Sequence, residues 1–431
     1  MAMTDEDLRI SYRRVVNSNP LRVMGNRNFA RLFYAGATSI SGSSLGLVAL
    51  NWLVYSQTGS PTNVAYLALT SIVATVALSL VAGTLVDRQN RRLMMIICDL
   101  VRSASLVILA FALVAFGFNL LLILAVSFTL GAFSTVFYPA ERALMPTLIR
   151  KDEVEDANGL VMTTNALFQA VANGAGGALV ALVGAVAALG LNSATFAVSA
   201  VFIGSIVTGR SVWKGPEIES GRKSSFLSDA VDGVRYLVRW RGLLYITVSA
   251  ALMNLFFAMM TTFIVVYAAR VLSGGAFVYG ALLSLFGLGF APGALLVGRT
   301  NAVRSAGLVW GVSGVAAGAF AFVLALAPSE YVAFTAAFGL GFVSGYSNTT
   351  WLSVVQLIVP TEMQGRYFGV DQLGSFAVVP VGQVVGAFLI TVNGVQFDYL
   401  VAAFGILVSS AIFLLSGEMR GLRYNGPART E

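Results

Sequence analysis

Asp99 and Arg102 stand three residues apart inside an apolar stretch. That spacing puts an acid and a base on one face of a helix. Charge inside a bilayer is costly, so each such residue is a candidate for function. Pairing lowers the cost if hydrogen bonds satisfy the remaining atoms of both groups. The chemistry open to the pair is ion pairing or proton exchange. Asp371 is a further acid in an apolar setting. It reads either as a complement to the dipole of the helix expected to begin near residues 365–367, or as a proton-carrying site.

Gly83, Asp87, Arg88, Arg91 and Arg92 form a second group, between two apolar segments. A helix amino end exposes N–H groups and favours an anion. Asp87 is therefore expected to dock on the helix end near Arg366 and to latch two parts of the chain together. A third group is uncharged. Gln169 and Asn173 lie four apart, on one helix face, and Asn254, Asn348 and Gln383 also fall in apolar segments, with Phe257 among the aromatic residues beside them. Apolar walls carrying a few polar groups suit a ligand cavity, although amides also join transmembrane helices. These six residues are expected to line a substrate path.

Other chemistry is excluded. The chain has no His and one Cys, Cys98, so it offers no disulfide and no metal site with His ligands. There is no Gly-rich phosphate loop and no nucleophile paired with a base at mid-depth. No catalytic residue, metal or cofactor is expected, and the chain does not read as an enzyme.

The elements that must position these groups are set by composition. Of 431 residues, 57% are hydrophobic and 11% charged, against about 25% charged in a soluble domain. A spanning helix needs about 20 mainly apolar residues. Twelve such segments are expected, at 31–56, 62–85, 93–116, 119–141, 157–183, 186–208, 243–268, 276–298, 303–327, 331–355, 367–392 and 397–417. The expected organisation is an N-tail over 1–28, a six-helix half over 29–208, a linker over 209–242, a second six-helix half over 243–417 and a C-tail over 418–431. With both termini and the linker cytoplasmic, all but one of the 27 Lys and Arg fall inside and only Arg270 falls outside. Topology thus accounts for the net charge of +7, and no nucleic-acid partner is implied. The stretch 226–240 of the linker has the pattern of a basic amphipathic helix at the lipid interface.

The halves read as repeats: Leu85-Val86-Asp87-Arg88 is echoed by Leu296-Val297-Gly298-Arg299. The loop Gly83-Thr84-Leu85-Val86-Asp87-Arg88-Gln89-Asn90-Arg91-Arg92 resembles the signature of the major facilitator superfamily, with Asn90 where Gly is usual. A narrower resemblance, to the branch holding macrolide-efflux proteins and enterobactin exporters, rests on several stretches in order. They include Leu53-Val54-Tyr55-Ser56-Gln57-Thr58-Gly59-Ser60, Asp99-Leu100-Val101-Arg102, Tyr138-Pro139-Ala140-Glu141-Arg142 and Gly365-Arg366-Tyr367-Phe368-Gly369. The resemblance implies secondary active export of an amphiphilic small molecule, usually driven by proton entry, with the Asp87 latch favouring the outward-open state. Two features depart from the pattern of drug–proton antiporters. The span from Phe128 to Phe137 carries no charge, and Gly174-Ala175-Gly176-Gly177 lacks the Pro of the antiporter motif. The expected setting is a monomer in the plasma membrane, with a small-molecule substrate, protons and the lipid bilayer as partners. Alternatives are a lipid or lysolipid mover or an uptake permease on the same fold and, in a different class, a non-transporting receptor or sensor.

Overall fold

The computed structural model describes residues 20–207, 235, 241–300, 302–359 and 361–415. A short 3-10 turn, Pro20–Gly25, leads into α1 (Arg27–Thr58), α2 (Pro61–Arg88), α3 (Arg91–Phe116), α4 (Leu120–Leu148), α5 (Val154–Val183) and α6 (Ala185–Ser205). After the linker come α7 (Arg241–Thr262), α8 (Ile264–Arg270), α9 (Gly275–Leu296), α10 (Ala306–Ala325), α11 (Glu330–Ile358), α12 (Thr361–Phe376), α13 (Val379–Asn393) and α14 (Val395–Leu415). Side-chain oxygens of Asn26, Ser60, Asn90 and Asn119 accept from backbone N–H groups and start α1 to α4. Gly59, in the left-handed region at φ 60°, ends α1 and donates to the Tyr55 carbonyl.

Among the described residues, nine helices are long and apolar enough to cross a bilayer, and the bent pair α7–α8 makes a tenth. Helix also occupies the two remaining expected segments, as α11 and α14. The details differ from expectation at four points. The fourth segment runs on to Leu148 through Pro139 and Pro146, because neighbouring helices tolerate proline inside membrane-spanning helices. The seventh segment breaks at Phe263 with a bend of 43°. The eleventh breaks between Phe376 and Val379, where Pro380 opens α13 in place of continuing α12. Its first piece begins at Thr361, earlier than expected, which sets Arg366 in the second turn. Most of the linker, including all of the amphipathic stretch but residue 235, lies outside the described residues, as do residues 1–19 of the N-tail and the whole C-tail.

In the first half α1 packs on α5 and α6, α3 on α4 and α6, and α2 on α4; in the second, α9 packs on α11, α10 on α11 and α14, and α7 on α12, α13 and α14. The halves meet where α5 crosses α9 and α2 crosses α13. Glycine sets the α5–α9 approach. A Cβ on Gly280 would lie 2.6 Å from the Asn173 carbonyl oxygen and 2.6 Å from Gly177 Cα. One large apolar core holds residues from both halves, including Val48, Val54 and Leu67 with Met260, Phe263 and Tyr279. It fills the Arg270 end of the bundle. At the arginine-rich end the cores formed by the described residues are separate: Phe29, Met95 and Leu144 belong to the first half, and Val355, Val359 and Tyr367 to the second.

Candidate functional site

The Asp99–Arg102 pair expected from the spacing is formed in α3, and both side chains are fully buried. Arg102 donates to an Asp99 carboxylate oxygen, to the Cys98 carbonyl at 3.3 Å and to Ser134 Oγ at 3.3 Å. Its guanidinium lies between two rings, 4.5 Å from the centroid of Phe137 and 4.4 Å from that of Phe196. Desolvated cation–π contacts of this kind are worth about 2 kcal/mol each. Ser134 and Phe137 come from α4 and Phe196 from α6, so one cation ties three helices together.

Two of those partners face a cavity. Ser134 and Phe196 line a space of about 530 Å³ together with Ser43, Asn51, Ser127, Leu130 and Asn192 of the first half and Thr261, Thr262, Tyr279 and Leu283 of the second. Ligand sites of this kind run from about 300 to 1,000 Å³. Hydroxyl and amide groups are scattered over an apolar wall, and among the described residues no charged side chain lines it. Asn192 fits a notch on α1 where Gly42 and Gly46 carry no Cβ to obstruct it or its neighbour Thr195.

At the Arg270 end the halves are joined by polar contacts as well as by the shared core. Arg270, the last residue of α8, donates to Tyr55 Oη at 2.7 Å and to the Gly59 carbonyl at 2.7 Å. At the other end, the described members of the Asp87 group bond within the first half. Arg91 donates to the Ala143 carbonyl at 3.0 Å. Arg92 donates to the carbonyls of Ile203, at 3.1 Å, and Gly204, and Arg31 donates to that of Ser205 at 2.6 Å. Both cations thus cap the carboxyl end of α6, where the helix dipole favours positive charge. The side chains of Gly83's neighbours Asp87 and Arg88, and that of Arg366, lie outside the described residues.

Asp371 is buried and accepts from Thr247 Oγ1 at 2.6 Å. It stands in the third turn of α12, beyond the first turn to which a helix-dipole effect is confined. Of the six uncharged residues, Gln383 is buried, Asn173 and Phe257 are half-buried, and Gln169 and Asn348 are exposed. Asn254 donates to the Ser375 carbonyl at 2.9 Å, tying α7 to α12, and the Phe257 ring packs 5.7 Å from that of Phe286. None of the six is among the residues lining the 530 Å³ cavity. Sequence reasoning passed over two acids. Glu141 reads as a solvated acid at a loop end, yet it lies within α4 with its carboxylate against Gly36 of α1. Asp398 of α14 is fully buried, and neither carboxylate oxygen has a hydrogen-bond partner. An acid in the first turn of an apolar helix was the available signal.

The model of the transmembrane secretion effector family matches residues 18–421. The chain belongs to this family of major facilitator transporters. Among its curated relatives is the MFS-type transporter YkuC of Bacillus subtilis, 26% identical over 400 residues and covering 90% of this chain and 91% of that one. Another is the multidrug efflux pump Tap of Mycobacterium tuberculosis, 22% identical over 404 residues, with 91% and 94% covered. Solved structures share the fold. The nucleoside transporter NupG superposes with a TM-score of 0.71 at 13% identity, over 90% of this chain and 98% of that one. A bacterial homologue of the human lysosomal transporter Spinster, in an inward-facing and unoccupied conformation, superposes with a TM-score of 0.68 at 13% identity, over 91% and 96%. This family member is therefore a multi-span membrane transporter, and the resemblance to the superfamily is confirmed.

Proposed function

We propose that this family member exports amphiphilic small molecules by alternating access, with proton entry as the driving step. It acts as a monomer in the plasma membrane, with both termini and residues 209–242 in the cytoplasm. The observation that carries this reading is the 530 Å³ cavity between the halves. It lies below the end that the shared core and Arg270 hold together. Hydroxyl and amide groups can orient an amphiphile while the apolar wall holds its body. The separate cores at the arginine-rich end support an inward-open state. Docking of Asp87 on α12 then belongs to the opposite state, in which that end closes. The relative named as a multidrug efflux pump supports outward transport of drug-like compounds.

The test is accumulation of a fluorescent amphiphilic dye in a drug-sensitive bacterium expressing the protein. Expression should lower dye content, and a proton ionophore should abolish the difference. Leu130→Trp, which fills the cavity, should remove export while the protein still inserts. Equal accumulation with and without the protein, across neutral and cationic dyes, would refute the reading.

A further inference from the structure

Asp398 carries the least compensated charge-bearing group among the described acids. Its side chain is fully buried, and both oxygens lack a partner. The usual explanation for an acid in the first turn of a helix is a bond to the backbone N–H groups there, and here no such bond is made. A carboxylate stripped of water and of partners is strongly unfavourable in a membrane protein. Its place in the fold says what that cost could serve. Asp398 Oδ1 and the ring of Phe263 both pack on Gly386 of α13. Phe263 is the residue at which α7 and α8 part, and the two residues before it, Thr261 and Thr262, line the cavity. The neighbour of Asp398, Tyr399, stacks on Tyr267 of α8 with centroids 4.6 Å apart and planes at 10°. Three residues further along α8 is Arg270, which holds the first half through Tyr55 and Gly59.

We infer that Asp398 is a proton-exchanging group that controls closure of the Arg270 end. When it holds a proton, the side chain is neutral and the packed arrangement of Phe263, Tyr267 and Tyr399 closes over it. When the proton leaves, the carboxylate draws in water, the packing around the α7–α8 break loosens, and α8 carries Arg270 away from Tyr55 and Gly59. The other titratable groups facing this region are tyrosines: Tyr399 beside it, Tyr267 on α8 and Tyr279 on α9. The described parts of α7 near the break, of α10 and of α13 present no charged or titratable side chain here. Arg270 is the one cation of α8, and two of its donors are engaged by Tyr55 and Gly59. The assignment names the coupling group for the transport reading above and rests on that reading for its consequence.

The experiment places spin labels at Gln57→Cys and Tyr331→Cys, exposed positions at the Arg270 end of the two halves, in protein held in lipid nanodiscs. Cys98 is buried and stays unlabelled. Raising the pH should lengthen the label separation. Asp398→Asn, permanently neutral and of the same shape, should keep the short distance at every pH. Asp398→Glu should restore the response, and Glu330→Gln, which neutralises an acid in the first turn of α11, should keep it. An infrared band of a protonated carboxyl, present in the closed form and lost in Asp398→Asn, gives a second readout that does not depend on the labels. A pH response unchanged in Asp398→Asn overturns the assignment, and so does its equal loss in Glu330→Gln or its absence in the parent protein. The distances need no substrate, so their failure leaves dye export standing, and a failure of dye export leaves the gate standing.

Discussion

Removing one partner of the buried pair should cost far more than removing both. Arg102→Met deletes the donor to Asp99, two further hydrogen bonds and two ring contacts. Met fills much of the same volume, so the loss is mainly electrostatic: Asp99, fully buried, is left with no cation. Breaking a buried pair in this way costs about 3–5 kcal/mol. The double variant Asp99→Leu/Arg102→Met replaces both charges by apolar groups, a change that is often neutral or stabilising. The coupling between the two sites should therefore be at least about 2 kcal/mol by a double-mutant cycle. The assay is unfolding of the purified protein by SDS titration from mixed micelles, followed by tryptophan fluorescence. If Arg102→Met proves as stable as the double variant, the pair is not a compensated buried ion pair, and its place beside the cavity loses its meaning.

Arg270→Gln should weaken the joint between the halves. Two partly exposed charge-assisted bonds of about 1 kcal/mol each shift a two-state population by about thirtyfold, readable as a longer separation of labels at the Arg270 end. Gly280→Ala should lower the thermal stability of the detergent-solubilised protein, because its Cβ would meet Asn173 and Gly177 at 2.6 Å, whereas Gly298→Ala, facing open space, should leave it unchanged. A cysteine introduced at Ser220 should react with an impermeant thiol reagent only in inverted vesicles, as positive-inside counting requires; labelling in intact cells would reverse the topology.

Apolar length made the spans legible, because a bilayer demands it of each helix. Breaks were less legible. Pro380 opens a new helix while Pro139 and Pro146 sit inside α4, and proline alone does not tell the two cases apart. The α3 pair was legible because i,i+3 spacing is local, but its aromatic sandwich was not, since Phe137 and Phe196 reach it from two other helices. Mid-depth amides pointed to α5, α7, α11 and α13, yet the cavity is lined by small hydroxyl residues such as Ser43, Ser71 and Ser127. Such residues are common in packed membrane helices, so nothing in the sequence marks the few that face a void. Asp398 was overlooked for a related reason: in sequence it sits at a helix end, where water is expected, and only the fold shows that the end is covered.

The hooks on α6 bear on how the chain is made. Arg31 is translated 174 residues before the Ser205 carbonyl it binds, and Arg92 is 111 residues ahead of Ile203. Until α6 is threaded, neither cation can make these bonds. An inverted α6 would present its amino end to them, where cations are repelled. The sixth helix therefore makes these bonds to the first half only with its carboxyl end on the face where residues 31 and 92 stand.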